Sequence, residues 1–291
     1  MAISSTVPLE QEERETLRFF IADQLARGNL KLPLLPVVAN QVLLLSSDPD
    51  TEISQFSSLI QQDQALAGQI IRIANSPAYA PRTPIVSLQQ GITWLGLNML
   101  AGLAFSVSVQ SGVFHTTGYE EEVRNLWRHA LATGLFGKEI ARRIRHNVEN
   151  AFLCGLLHTI GKPAILHLLS QSPDRSAEPF SWTTVESLFD EFHVMAGTKL
   201  AAAWQLPDPV QETIRYYQDD QYHHATSPTK GAMITSLAHH LASIMLGDSS
   251  HDENSLLTLP VVQDLNFYPE DMTALLELRE TIKPSVECFL P

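Results

Sequence analysis

From Thr83 to Tyr119 the chain carries no Asp, Glu, Lys or Arg. An uncharged stretch of that length either crosses a bilayer or lies inside a protein core. Its most apolar part, ITWLGLNMLAGLAFSVSV, is flanked or interrupted by Gln89, Gln90, Asn98, Gln110 and several Ser and Gly residues. A spanning helix wants about 20 mostly apolar residues in a row. The stretch therefore reads as two consecutive buried helices, broken near Leu95-Gly96, where glycine weakens a helix interior.

The rest of the chain is patterned to the same helical period. Leu17, Phe20, Ile21 and Leu25 recur at three and four spacing, with Gly28 as a stop. Pro33 and Pro36 punctuate before PVVANQVLLLSS, and Asp48-Pro49-Asp50 makes a turn with Thr51 as a candidate N-cap. ISQFSSLIQQD and QALAGQIIRIANS follow; Asn75 suits the end of the second, because Asn tolerates the left-handed conformation and Pro77 prevents continuation. GYEEEVRNLWRHALATGLFGKEIARRI begins with Glu and ends with Arg, the polarity of a helix macrodipole. NVENAFLCGLLH, a short helix after Gly161, a polar loop over 170–183, and TVESLFDEFH, VMAGTKLAAAWQL, DPVQETIRYY and SPTKGAMITSLAHHLASIML come next. PEDMTALLELRETIKPSVECFL reads as one final amphipathic helix with Pro284 near its end. Strand-like alternation is scarce, so the fold class is all-α. A soft boundary near His115 to Gly118 divides a first helical lobe from a histidine-bearing second lobe, and the two should pack as one unit.

The 291 residues are 44% hydrophobic, enough for one large core or two modest ones, and the net charge is −13. So acidic a surface disfavours nucleic acid and anionic lipid as partners. The local cluster Arg142, Arg143, Arg145 and His146 fits a helix C-terminus better than a binding patch. Two distant cysteines, Cys154 and Cys288, and an N-terminus without a basic-then-apolar leader are consistent with a reducing cytoplasm and no membrane insertion.

Eleven histidines are available as ligands or bases. His129 lies inside a helix that is apolar nearly all round and reads as a core histidine bonded to a neighbour. His158 ends an apolar helix, where the helix C-terminus favours it. His193 is placed at the opening of a helix, pointing into a cleft or capping a turn. His240 flanks the stripe Ile234, Leu237, Leu241 and Ile244, and His239 lies nearly opposite, facing solvent or a second, tighter interface. His223-His224 sits in a polar loop and reads as solvated. On spacing alone the set reads first as structural and only second as metal-binding.

The order of motifs resembles the HDOD domain, the HD-related output domain of bacterial signalling proteins. The residues that carry the resemblance are LPLLPVVANQVLLLSSDPDTEISQFSSLIQQDQALAGQIIRIANSPAY with its Ala-Asn-Ser ending at Asn75 and Ser76, then SLQQGITWLGLNML, LWRHALATG, AFLCGLLHTIGK and HVMAGTKLAAAWQLP. The resemblance covers residues 30–245, as lobes 30–115 and 116–245. It leaves 1–29 as an N-terminal helix and 246–291 as a C-terminal extension. The second lobe is similar to HD-superfamily phosphohydrolases, whose metal ligands are a His, a His-Asp pair and a later Asp. Carried over position by position, the resemblance implies His129 for the first, His158 and Thr159 for the pair, and His239 for the late Asp. His193 matches a frequent family His, Lys162 is retained, and Tyr216-Tyr217 stand where a His-His often follows. Two carboxylates are therefore missing. The resemblance implies a non-catalytic signalling module with a protein partner, or less favourably a small ligand, no catalytic residue and no cofactor expected. The alternative is a divergent phosphohydrolase holding one transition metal on His129, His158, His193 and His239.

Overall fold

The computed structural model describes residues 6–27, 41–42, 45, 50–62, 64–110, 116–173, 179–219, 230–248 and 252–289. Among them there is helix and no strand. The first helix, α1, is Thr6–Arg27; α2 (Ile53–Gln61), α3 (Gln64–Ala74), α4 (Leu88–Leu95) and α5 (Leu97–Gln110) form the first lobe. The second lobe is α6 (Glu120–Arg143), α7 (Val148–Leu157), α8 (Gly161–Leu169), α9 (Trp182–Ala203), α10 (Asp208–Tyr216) and α11 (Lys230–Leu246). Four short helices end the chain: α12 (Glu253–Leu256), α13 (Pro260–Asp264), α14 (Pro269–Glu277) and α15 (Arg279–Phe289).

The uncharged stretch breaks where its glycine stands. Gly96 adopts φ 85 between α4 and α5, and Ser87 caps α4 by accepting from the Gln90 N–H. Both helices bury large faces, Ile92, Leu100, Leu103 and Ala104 among them. Another segment, Val148–Leu169, is long and apolar enough to cross a membrane, but 89% of its most apolar window is buried in the protein, and a turn at 158–160 divides it.

One hydrophobic cluster runs from Val42 through α2–α7, α10 and α11 to Val286, so the two lobes share a core. A second cluster joins Leu17, Ile21 and Leu25 of α1 to Ile165 and Leu169 of α8 and Leu188 and Phe192 of α9. The N-terminal helix thus lies on the distal lobe, tied there by Arg18 to Glu191 at 2.7 Å. The C-terminal extension returns across both lobes: α15 packs on α3 and α6, and Arg128 meets Glu287 at 3.2 Å.

The centre of the second lobe is the α6–α7 crossing. Glu120, Glu121 and Glu122 occupy the first turn of α6 and Arg142 and Arg143 its last, so its charges oppose the ends of its dipole favourably. Midway, α7 lies almost on the α6 backbone. A Cβ on Gly155 would stand 2.7 Å from Gly134 Cα, closer than any side chain tolerates. Two small residues in register therefore decide how near the helices come, and with them His129 and His158.

Several local expectations are corrected. Thr51 is not the cap of α2; that position is Glu52, in a reciprocal box with Gln55. Asn75 ends α3 without entering the left-handed region. Its side chain does the work instead: Nδ2–H donates to Ile71 O and Ile85 O, and Oδ1 accepts from Ile85 N–H, each at 2.8 Å. Asn75 thereby closes the loop 76–85 as an amide pair. His193 does not open a helix: nothing between Phe192 and Val194 breaks the chain, and α9 runs through both expected segments. The expected single C-terminal helix is two, α14 and α15, parted at Leu278, with Pro284 inside the second. His115, Asp63, His223, His224 and most of 28–49 lie outside the described residues.

Candidate functional site: a histidine pocket

Three helices place three imidazoles together. His129 comes from the middle of α6, His158 from the residue that closes α7, and His239 from α11. One nitrogen from each lies within 4.8 Å of the other two. Ring centroids are 4.5 Å apart for His129–His239, 5.3 Å for His158–His239 and 5.7 Å for His129–His158. The face of α11 carrying His239 is thus a second interface: Ala232, Thr235 and Ala242 beside it are as buried as the aliphatic stripe opposite.

Hydrogen bonds determine where two of these rings carry their protons. His158 Nδ1 is 2.6 Å from the Gly155 carbonyl, which can only accept, so Nδ1–H donates and Nε2 bears the lone pair. That Nε2 is 3.0 Å from His239 Nδ1, which must then be the donor, leaving the His239 lone pair on Nε2. His129 Nε2 lies 3.0 Å from the Ser243 hydroxyl, and the Thr133 hydroxyl, itself donating to the His129 carbonyl at 2.8 Å, lies near His129 Nδ1. An imidazole whose Nδ1–H is held by a backbone carbonyl is the usual orientation of a metal-ligating histidine.

These surroundings favour neutral rings at His158 and His239. Burial, then the neighbouring His129, holds the His158 pKa well below the ordinary imidazole value, and the same causes act in that order on His239. Burial also lowers Lys162, against the pull of Asp190, Glu186 and Asp248.

His193 stands apart from the triad. Its Nδ1–H donates to the Phe189 carbonyl at 2.5 Å, and its Nε2 accepts from the Tyr217 hydroxyl at 2.9 Å. The expected four-histidine set is therefore a set of three, with Tyr217 between. The Tyr217 ring packs edge-on to His158 with centroids 4.8 Å apart, and burial raises its phenol pKa. Spacing could have found it: Val210, Thr213, Ile214 and Tyr217 share the one buried face of α10. Thr159 is buried beside His158 and supplies no charge. Asn75 and Ser76 lie in the first lobe, and their bonds are local: Ser76 O accepts from Tyr79 and Ala80 N–H.

What could occupy such a pocket follows from its donors. Three neutral nitrogens suit zinc, copper, nickel or iron(II); the oxygen-seeking ions magnesium and calcium want carboxylates. The triad fits one transition metal, and no carboxylate joins it among the described residues.

The HDOD domain profile matches residues 32–220, and the chain belongs to the HDOD family. An uncharacterized protein of Treponema pallidum (strain Nichols) is 28% identical over 227 residues; that alignment covers 75% of this chain but only 43% of the relative, so the chain spans less than half of that protein's length. Two crystal structures share the fold. One, named "putative metal-dependent phosphohydrolase" from Shewanella amazonensis SB2B, superposes with TM-score 0.74 at 23% identity, covering 94% of this chain and 99% of that one. The other, named "putative signal transduction protein" from Marinobacter aquaeolei VT8, gives 0.61 at 19% identity, with 95% and 66% covered.

Proposed function

We propose that the chain is a non-catalytic signal-transduction module that works in a bacterial cytoplasm by binding a partner protein. The observation that carries this reading is the donor set of the pocket: His129, His158 and His239 converge, while the position after His158 is Thr159 and, among the described residues, no carboxylate completes the group. A phosphodiester hydrolase of this architecture needs a cation that activates water and neutralises phosphate, and carboxylate charge normally helps hold that cation. The close packing of α6 and α7 through Gly134 and Gly155 supports a pocket whose shape does not depend on that charge. Family membership supports the same reading, as does the neighbour named for signal transduction. Both cysteines are free, in keeping with a reducing compartment, and the net charge of −13 argues against nucleic acid. The test is hydrolysis of a cyclic dinucleotide and of bis(p-nitrophenyl) phosphate by wild type and His158→Ala. Equal, background rates are expected; turnover in wild type that His158→Ala abolishes would overturn the reading.

A second reading, a divergent metal-dependent phosphohydrolase, is favoured by the nitrogen triad and by the neighbour so named. Bound metal would sit on His129, His158 and His239 and would supply Lewis acidity. The chain's own contribution would be to orient His158 through Gly155 O, with its Nε2 lone pair turned from the His239 N–H to the metal. Elemental analysis of the purified protein separates the two, since this reading requires near-stoichiometric metal that His158→Ala removes.

A further inference from the structure

A cavity of about 580 Å³ opens in the first lobe between the loop closed by Asn75 and the outer face of α4. Its walls include Arg82, Pro84, Gln89, Gln90, Thr93 and Trp94. The walls are pre-set. Asn75 clamps Ile85 from both backbone sides, Val86 N–H donates to Gln90 Oε1 at 2.9 Å, and the Trp94 indole N–H donates to Tyr79 O at 3.2 Å. Trp94 is nevertheless 49% exposed, and Val86, in the chain between the wall residues Ile85 and Ser87, is 72% exposed, so an aromatic plate and an aliphatic side chain face solvent on a rigid frame. Fixed aromatics of this kind lose little entropy on contact and dominate binding energy at protein interfaces.

The charge of the groove singles out its occupant. In a chain of net charge −13, the walls carry no carboxylate and one cation, the exposed Arg82. That guanidinium makes no ion pair with any described residue. Elsewhere the acidic surface repels a carboxylate; here an unpaired fork awaits one. The loop behind the groove is also wired to the rest of the fold. Ala78 N–H donates to Ser285 Oγ of α15 at 2.8 Å, and Ala78 O accepts from Lys138 Nζ of α6 at 3.3 Å. Lys138 is buried, its pKa pulled down to about 8 by desolvation.

We propose that this groove docks an acidic segment of a partner protein, with a carboxylate on Arg82 and an apolar or proline side chain against Trp94 and Val86. The proposal rests on the partner-binding reading above and says where and how the partner is held. Its test is selection from a displayed library of random peptides, followed by fluorescence polarisation of the enriched peptides against wild type, Arg82→Glu, Val86→Lys and Trp94→Ala. Arg82 and Val86 are exposed, so those two variants separate binding from folding. Enriched sequences should pair Asp or Glu with an apolar residue, should bind Arg82→Glu at least about tenfold more weakly, and should weaken with added salt. Basic peptides, no enrichment, or equal affinity for all four proteins would overturn the groove. Equal affinity for all four would leave partner binding itself standing. That broader reading fails instead on metal-dependent turnover, which Arg82→Glu would leave unchanged.

Discussion

The histidine pocket and the Asn75 loop are both built of polar groups in an apolar protein, and they are held in opposite ways. In the pocket, position comes from the backbone. Helices α6 and α7, packed through Gly134 and Gly155, and α11 beside them deliver His129, His158 and His239 to one place, and the rings then settle their bonds with carbonyls, hydroxyls and each other. In the loop, position comes from one side chain: Asn75 makes three bonds of 2.8 Å and the backbone follows. A site placed by packing can lose its chemistry and keep its shape. A loop placed by a side chain loses its shape with that side chain.

The comparison can be broken in four ways, the largest effect coming from acid. The pKa values of His158, His239 and His193 are all lowered, first by burial, so the folded protein leaves these rings neutral where the unfolded chain, with pKa near 6.5, takes up protons. Stability should be level above about pH 7 and should fall as pH drops through 6.5, by up to about 1.4 kcal/mol per pH unit for each ring that stays neutral. Urea unfolding between pH 7.5 and about 5.5, above most carboxylate titration, measures it; a flat profile would mean the rings are not sealed by packing.

Next comes the crossing itself. Gly155→Val puts side-chain atoms into the α6 backbone and should cost about 3 kcal/mol, read as a lower denaturation midpoint with native helicity partly lost. Asn75→Ala should cost about 2 kcal/mol, since it strands the N–H and C=O of the buried Ile85, while Asn75→Asp keeps the acceptor for Ile85 N–H and should lose less. Far-ultraviolet circular dichroism should remain native in both Asn75 variants. Equal losses for Ala and Asp would show that the amide pairing is not what shapes the loop. The smallest effect is Tyr217→Phe, which removes one hydrogen bond to His193 Nε2 and should cost about 1 kcal/mol by the same measurement. No change there would mean His193 finds another donor.

How much of this was legible depends on the range of the interaction. The break at Gly96, the polarity of α6 and the all-helical class follow from local period, glycine and charge, and the structure has them. The meeting of His129, His158 and His239 was not legible from spacing, which read them as separate structural residues; only the ordered resemblance set them in one series. The Asn75 pairing with Ile85 and the His193–Tyr217 bond join residues 10 and 24 apart through side chains. Neither leaves a periodic trace, so a left-handed cap and a helix opening were inferred where the chain does something else. The Gly134–Gly155 contact is equally silent, because a glycine inside a helix signals a weak point unless its neighbour across the crossing is known.

The central claim is that the pocket converges as a metal site does but, with no carboxylate in it among the described residues, does not hold a hard, carboxylate-seeking cation. Calorimetric titration of Mn²⁺ into metal-stripped wild-type protein tests it most directly. The account predicts no saturable heat beyond that seen with His158→Ala, because three neutral nitrogens without a carboxylate hold such an ion poorly. Stoichiometric, saturable Mn²⁺ binding in wild type that disappears in His158→Ala would contradict it.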